Sequence, residues 1–265
     1  MYPSLETVKQ LASQGDYKRI PVCRELFSDK YTPVEVMHML KKASHHCYLL
    51  ESASQSEAWG RYSFLGDDPV MEITCCEGEM KIRHTGENGN QEEKICHVTH
   101  PGETLRQVLD QYKSPKVEGL STFTGGLVGY FSYDYIRYSE PKLKLGSKGQ
   151  QDFRDMDLML FDQVIAFDHY RQKLLLITGV KTENIDISYQ EAKKKLQDMA
   201  DLIKKEDKME FPPIHLLSEI QPELPEKEYC QIVERAKQYI KEGDIFQVVL
   251  SNPMRAKAEG SLFDT

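Results

Sequence analysis

Groups able to bind metal or move protons lie close together in several places along this 265-residue chain. His45-His46-Cys47 and Cys96-His97 with His100 bring soft ligands together, but neither cluster has a CxxC or HExxH companion. Neighbouring residues on a strand point to opposite faces and so rarely chelate one ion, which leaves these clusters as buried thiols and surface histidines. The six cysteines show no zinc or disulfide spacing. The carboxylate pairs Asp67-Asp68 and Asp155/Asp157 sit in turns and polar segments, where solvated structural roles suffice. No GxSxG elbow, kinase signature or Rossmann fingerprint occurs. The glycines of GGLVGY (125–130) match neither phosphate-loop pattern, so they read as a strand where another backbone or a flat ring comes close.

The net charge of −8 leaves no basic stripe for nucleic acid. Lys193–Lys195 and Lys204-Lys205 are interleaved with acids, as on a solvated helix face. The N-terminus lacks a basic and an apolar signal region, and no apolar run approaches a membrane span, so the expected location is the cytoplasm, with no membrane partner.

Spacing predicts helices over 4–13, from the capping box at Thr32 to Ala43, over 103–113, from a second capping box at Ser188, and over 226–243. Strands are expected at 17–27 (peripheral, because of Pro21), at HCYLLES and WGRYSFLG on either side of the polar loop 53–58, and in a hairpin turning at Glu77-Gly78. A further strand, KICHVTH, follows a turn at 86–90. Residues 157–168 and 173–180 read as two arms of one hairpin, and 244–251 as a buried strand. The fold class is therefore α+β, with largely antiparallel sheets and inserted helices. The expected organisation is a region 1–205, a proline-bearing linker 206–225, and the opening of a second unit over 226–265. The Ser261–Thr265 stretch has helix-opening chemistry.

Three segments carry a family resemblance: Tyr48-Leu49-Leu50-Glu51-Ser52 followed by Arg61-Tyr62-Ser63-Phe64-Leu65-Gly66; Gly125–Asp134; and Gly243-Asp244-Ile245-Phe246-Gln247-Val248-Val249-Leu250-Ser251. Their wording and order resemble the N-terminal portion of anthranilate synthase component I. The resemblance implies conversion of chorismate and ammonia to anthranilate and pyruvate, with Mg²⁺ and a glutamine amidotransferase partner subunit. It places the catalytic and Mg²⁺-binding residues in the family's C-terminal half, so no catalytic residue or metal ligand is expected within 1–265, and this stretch is expected to be inactive alone. Its sheet is also expected to be left incomplete. Asp244 and Gln247 would lie at the edge of the substrate region.

The resemblance also implies an allosteric L-tryptophan pocket at Leu50, Glu51 and Ser52, with Arg61 and Ser63 as further candidates. Such a ligand needs an acceptor for its ammonium, donors for its carboxylate and an apolar slot for its ring. Glu51 and Ser52 can supply the first two, and Leu50 with Tyr48 a wall. On a regular strand Glu51 and Ser52 face opposite ways, so both reach one ligand only where the strand ends or bulges. Two alternatives share this reading of the residues: the aminodeoxychorismate synthase large subunit, with the same fold and substrate, and a non-enzymatic amino-acid-binding module.

Overall fold

The structure, a computed structural model, describes residues 1–51, 60–85, 91–140, 142–143 and 153–263. The expected loop 53–58, the turn 86–90, Ser52 and the last two residues lie outside them. The chain divides into two compact units, Met1–Met209 and Glu210–Thr265, so the proline-bearing segment expected as a linker contributes most of its length to the second unit.

In chain order the first unit contains α1 (Leu5–Ser13), β1 (Arg19–Phe27), α2 (Pro33–Ala43), β2 (Cys47–Leu50), β3 (Tyr62–Asp67), β4 (Met71–Cys76), β5 (Glu79–Thr85), β6 (Gln91–His97), α3 (Pro101–Asp110), β7 (Gly126–Phe131), β8 (Met156–Phe161), β9 (Gln163–Asp168), β10 (Lys173–Lys181) and α4 (Ile185–Lys205). The strands form two five-stranded sheets, β1-β10-β9-β3-β2 and β6-β5-β4-β8-β7, antiparallel throughout. The α+β class follows directly. Pro21 sits on β1, an edge strand, where its missing N–H costs no ladder bond.

Local chemistry sets several boundaries. Thr32 caps α2: its Oγ1 accepts the Glu35 N–H at 3.2 Å while Glu35 Oε2 accepts the Thr32 N–H at 3.1 Å, with Pro33 at the first helical position. Glu77 and Gly78 both have positive φ (48° and 85°), the two-residue turn that suits the twist of the β4–β5 hairpin. The second capping box does not form. Helix α4 begins earlier, at Ile185, and the Ser188 hydroxyl accepts the Lys181 N–H at 2.7 Å, tethering the helix to the end of β10. Burial, rather than the cap pattern, chose that start: Ser188 is inside, with Ala192, Leu196, Met199, Ala200 and Ile203 along the same helix.

Residues 157–168 are not one arm of a hairpin. β8 belongs to the second sheet and β9 to the first, with Asp162 alone between them. The run is largely apolar because both halves are mostly buried, and periodicity cannot reveal a change of sheet in such a run. The β9–β10 hairpin itself forms, with the turn at 169–172.

One face of the first sheet carries α2 and α4; the other packs Cys23, Val164, Ala166, Leu175 and Ile177 against Phe64, Leu120 and Phe123. Leu105 and Val108 of α3 fill the core of the second sheet with Met71, Ile73, Met80, Met156 and Leu160. Strand β7 lies against β8 so closely that a Cβ at Gly129 (φ 156°) would stand 2.0 Å from the Asp157 carbonyl oxygen. This is the close backbone approach expected of the glycine-rich segment.

The second unit pairs β11 (His215–Leu216) with β14 (Ala258–Glu259) and β12 (Gln221–Pro222) with β13 (Met254–Arg255), around α5 (Glu226–Glu242). Gly243, at φ 82°, ends α5. The Asn252 amide clasps Leu224, donating to its carbonyl and accepting its N–H, both at 2.9 Å. Residues 244–251 do not form the expected strand: Phe246 is fully exposed and Val249 largely so. An apolar run becomes a buried strand only with neighbours on its edges and faces, and no described strand lies beside this one.

Two measurements check this account. Gly129→Ala is expected to destabilise by about 3 kcal/mol or more in urea unfolding, through backbone collision and strain. Gly119→Ala, also at positive φ (86°) but with only a 3.8 Å contact, is expected to cost about 1 kcal/mol. Burial, with Asp68 beside it, pushes the Asp67 carboxyl from 3.8 up to about 6. Its ionisation therefore opposes folding: the stability present below pH 3.8 is lost as pH rises through about 6. Asp67→Asn is expected to stabilise by about 2 kcal/mol at pH 7 and to make little difference near pH 3.

Candidate functional site at the end of strand β2

Leu50 is the last residue of β2 and is half exposed; Glu51 follows it, exposed, outside the ladder. The strand therefore ends where Glu51 and Ser52 need it to end if both are to reach one ligand, although Ser52 itself lies outside the described residues. Register places Leu50 opposite Phe64 on β3. Side chains alternate along β3, so Tyr62 and Phe64 share the Leu50 face and Ser63 takes the other. The Tyr62 and Phe64 rings stack at 5.7 Å, and Phe123 meets Phe64 edge-on at 5.6 Å. An aromatic floor thus adjoins the strand end. Its signal in the sequence was the period-two placement of Tyr62 and Phe64.

Arg61 precedes β3 and pairs bidentately with Asp168 at the end of β9, Nε to Oδ1 at 3.1 Å and Nη2 to Oδ2 at 2.7 Å. Its guanidinium carbon lies 4.9 Å from the Tyr62 ring centroid and 5.7 Å from that of Tyr170. Burial works to raise the Asp168 pKa, but the Arg61 hydrogen bonds and the Arg171 N–H overcome it, and the carboxyl titrates below its ordinary value. Two Arg61 N–H groups are thereby committed within the protein. Ser63 is fully buried, its Oγ 2.7 Å from His169 Nε2, on the face away from Leu50. Tyr48 is buried edge-on to Phe161 at 4.6 Å and lies across Gly66, where a Cβ would stand 2.4 Å from the tyrosine ring. Sequence inspection missed Asp168 and His169, which only the β3–β9 pairing brings alongside.

Asp244 and Gln247 are exposed residues of the second unit, in the irregular stretch after α5. Among the described residues no three His, Cys, Asp or Glu side chains converge where a metal ion could sit. No helix among them is long and apolar enough to cross a membrane.

This architecture and these motifs belong to a known class. Residues 7–265 match the chorismate binding enzyme family, and the chain is a member of it. It is 31% identical to anthranilate synthase component 1 of Acetivibrio thermocellus, over 99% of this chain and 53% of that protein. It is 32% identical to the Acinetobacter calcoaceticus protein of the same name, over 97% and 51%. Its fold matches the crystal structure of anthranilate synthase component I from Streptococcus pneumoniae TIGR4 with a TM-score of 0.57 at 23% identity, covering 90% of this chain and 50% of that one. The chain spans about half the length of the curated relatives it matches.

Removing Arg61 would strand a carboxylate whose side chain is only 2% exposed. Arg61→Ala is expected to cost about 3 kcal/mol at pH 7. Because the folded-state pKa of Asp168 is lowered, the ion pair contributes above pH 3.8 and fades as acid protonates it. The penalty should therefore shrink as the pH falls below 3.8, as read by urea unfolding at several pH values.

Proposed function

We propose that this chain is the N-terminal part of an anthranilate synthase component I. The whole enzyme would convert chorismate and ammonia to anthranilate and pyruvate with Mg²⁺, and an amidotransferase subunit would supply the ammonia. The observation that carries this reading is the match of nearly the full chain to proteins of that name in two bacteria. Within the enzyme, this stretch supplies scaffold and an inhibitor-sensing wall rather than the bond-making groups. The wall is the end of β2: Leu50 beside the Tyr62–Phe64–Phe123 floor for an indole, Glu51 for the ammonium, Ser52 for the carboxylate. Feedback then requires tryptophan to bind the inactive arrangement better than the active one, by typically ~1–3 kcal/mol.

The test is Ser52→Phe in a polypeptide continuing through the family's C-terminal half, assayed with chorismate, ammonia and Mg²⁺. Uninhibited anthranilate production is expected to stay within about twofold of wild type, while the tryptophan concentration for half inhibition rises at least about tenfold, the loss of a coupling near 1.4 kcal/mol. Full tryptophan sensitivity in this variant would remove the site assignment. Chorismate turnover by residues 1–265 alone would overturn the division of labour.

A further inference from the structure

A cleft of about 460 Å³, its mouth included, opens between β1, the end of α3 and the Gly125-Gly126 segment. It is separate from the β2 strand end; neither Leu50 nor Glu51 lines it. Arg19, the first residue of β1, lines it with a side chain only 15% exposed. Asp162, at the junction of β8 and β9, is the one other charged residue along its wall among the described residues.

The guanidinium is only partly engaged. Arg19 Nη1 donates to Asp162 Oδ2 at a long 3.3 Å, its one side-chain hydrogen bond among the described residues. A guanidinium carries five N–H groups. Lys195 reaches the same Oδ2 at 3.5 Å, while Asp162 Oδ1 is sealed from solvent. Two cations thus share one carboxylate, and the cluster carries one positive charge in excess.

The surroundings hold Arg19 in place. The Lys18 and Arg19 N–H groups donate to the Lys113 carbonyl at 2.8 and 3.2 Å, which sets Tyr112 beside Arg19, with the guanidinium carbon 4.4 Å from the ring centroid. The ring covers one face of the guanidinium, whose N–H groups lie in its plane and so remain along the edges. Gly179 leaves room for the arginine stem, since a Cβ there would meet Arg19 Cδ at 3.2 Å. Tyr112, Ser114 and Thr124 line the cleft too, and their hydroxyls are engaged by no other described residue. Pro21, Leu109 and Phe161 supply apolar wall.

We infer that this cleft binds a small monocarboxylate, its charged end on the N–H edge of Arg19 and the hydroxyls beside it, its short apolar body against Pro21, Leu109 and Phe161. The planar fork of an arginine matches a carboxylate in both charge and shape. The excess positive charge opposes a cation, and a neutral amide would leave that charge unanswered. An inorganic oxyanion would answer the charge but leave the apolar wall uncovered.

Calorimetric titration of the 265-residue chain with propionate tests this, against propionamide, ethylamine and inorganic phosphate. Propionate is expected to bind with a Kd below about 10 mM, and the other three at least about tenfold more weakly. Arg19→Lys keeps the charge beside Asp162 but loses the fork, and is expected to weaken propionate binding by at least about tenfold. Leu109→Trp, a change at an exposed helix position that keeps the buried pair intact, is expected to abolish binding by filling the cleft. No propionate binding up to about 10 mM, equal binding of any of the other three, or unaltered binding in either variant would each overturn the assignment.

Discussion

The first unit depends on how the chain passes Asp162. Two five-stranded sheets are joined there through one residue, so β8 cannot move without β9. A crossing that short buries its side chain, and this side chain is a carboxylate. An ionised group inside a protein is tolerable only beside opposite charge. Arg19 from β1 and Lys195 from α4 provide it, which ties the start of the first sheet and its covering helix to the junction. Gly125 and Gly126 belong to the same arrangement: a Cβ at Gly125 would lie 3.0 Å from the Phe161 carbonyl oxygen.

A second buried polar group steadies the far side of the second sheet. Asp155 is 5% exposed and accepts the Tyr138 hydroxyl at 2.7 Å and the Glu77 N–H at 2.8 Å, while the Tyr138 oxygen accepts the Gly78 N–H at 2.8 Å. The β4–β5 turn is thereby fastened to the segment preceding β8. Both bonds to Asp155 fall on Oδ2, while Oδ1 lies 4.0 Å from the Arg137 guanidinium.

The strand end at Leu50 shows a third use of the same scaffold. Ion pairing of Arg61 with Asp168 and the Ser63–His169 contact hold β3 to the β9–β10 turn from both faces. The Tyr62 and Phe64 rings lie on the same stretch of backbone, 5.7 Å apart. Arg61 and Ser63 thus fix the backbone of β3 beside Leu50, and Glu51 is exposed just past the strand end.

Much of this was legible in one dimension. Thr32 and Glu35 close a capping box because the interaction spans only three residues, and Glu77-Gly78 turns because its backbone preferences are local. The glycine spacing of 125–129 announced a close approach, since little else explains glycines among aromatics on a strand. Alternation and helical period together placed most elements and the α+β class. What failed depended on burial and on contacts longer than one helical turn. Ser188 looked like a cap and became a tether to Lys181. The 157–168 run hid a change of sheets. The 244–251 run, apolar enough for a core strand, found no described neighbour to pair with. Sequence alone determined which segments could be helix or strand, because those preferences are set within a few residues. Only the tertiary structure decided that Arg19 and Asp162, 143 positions apart, would meet at the junction of the two sheets, because burial and pairing are properties of the assembled sheets.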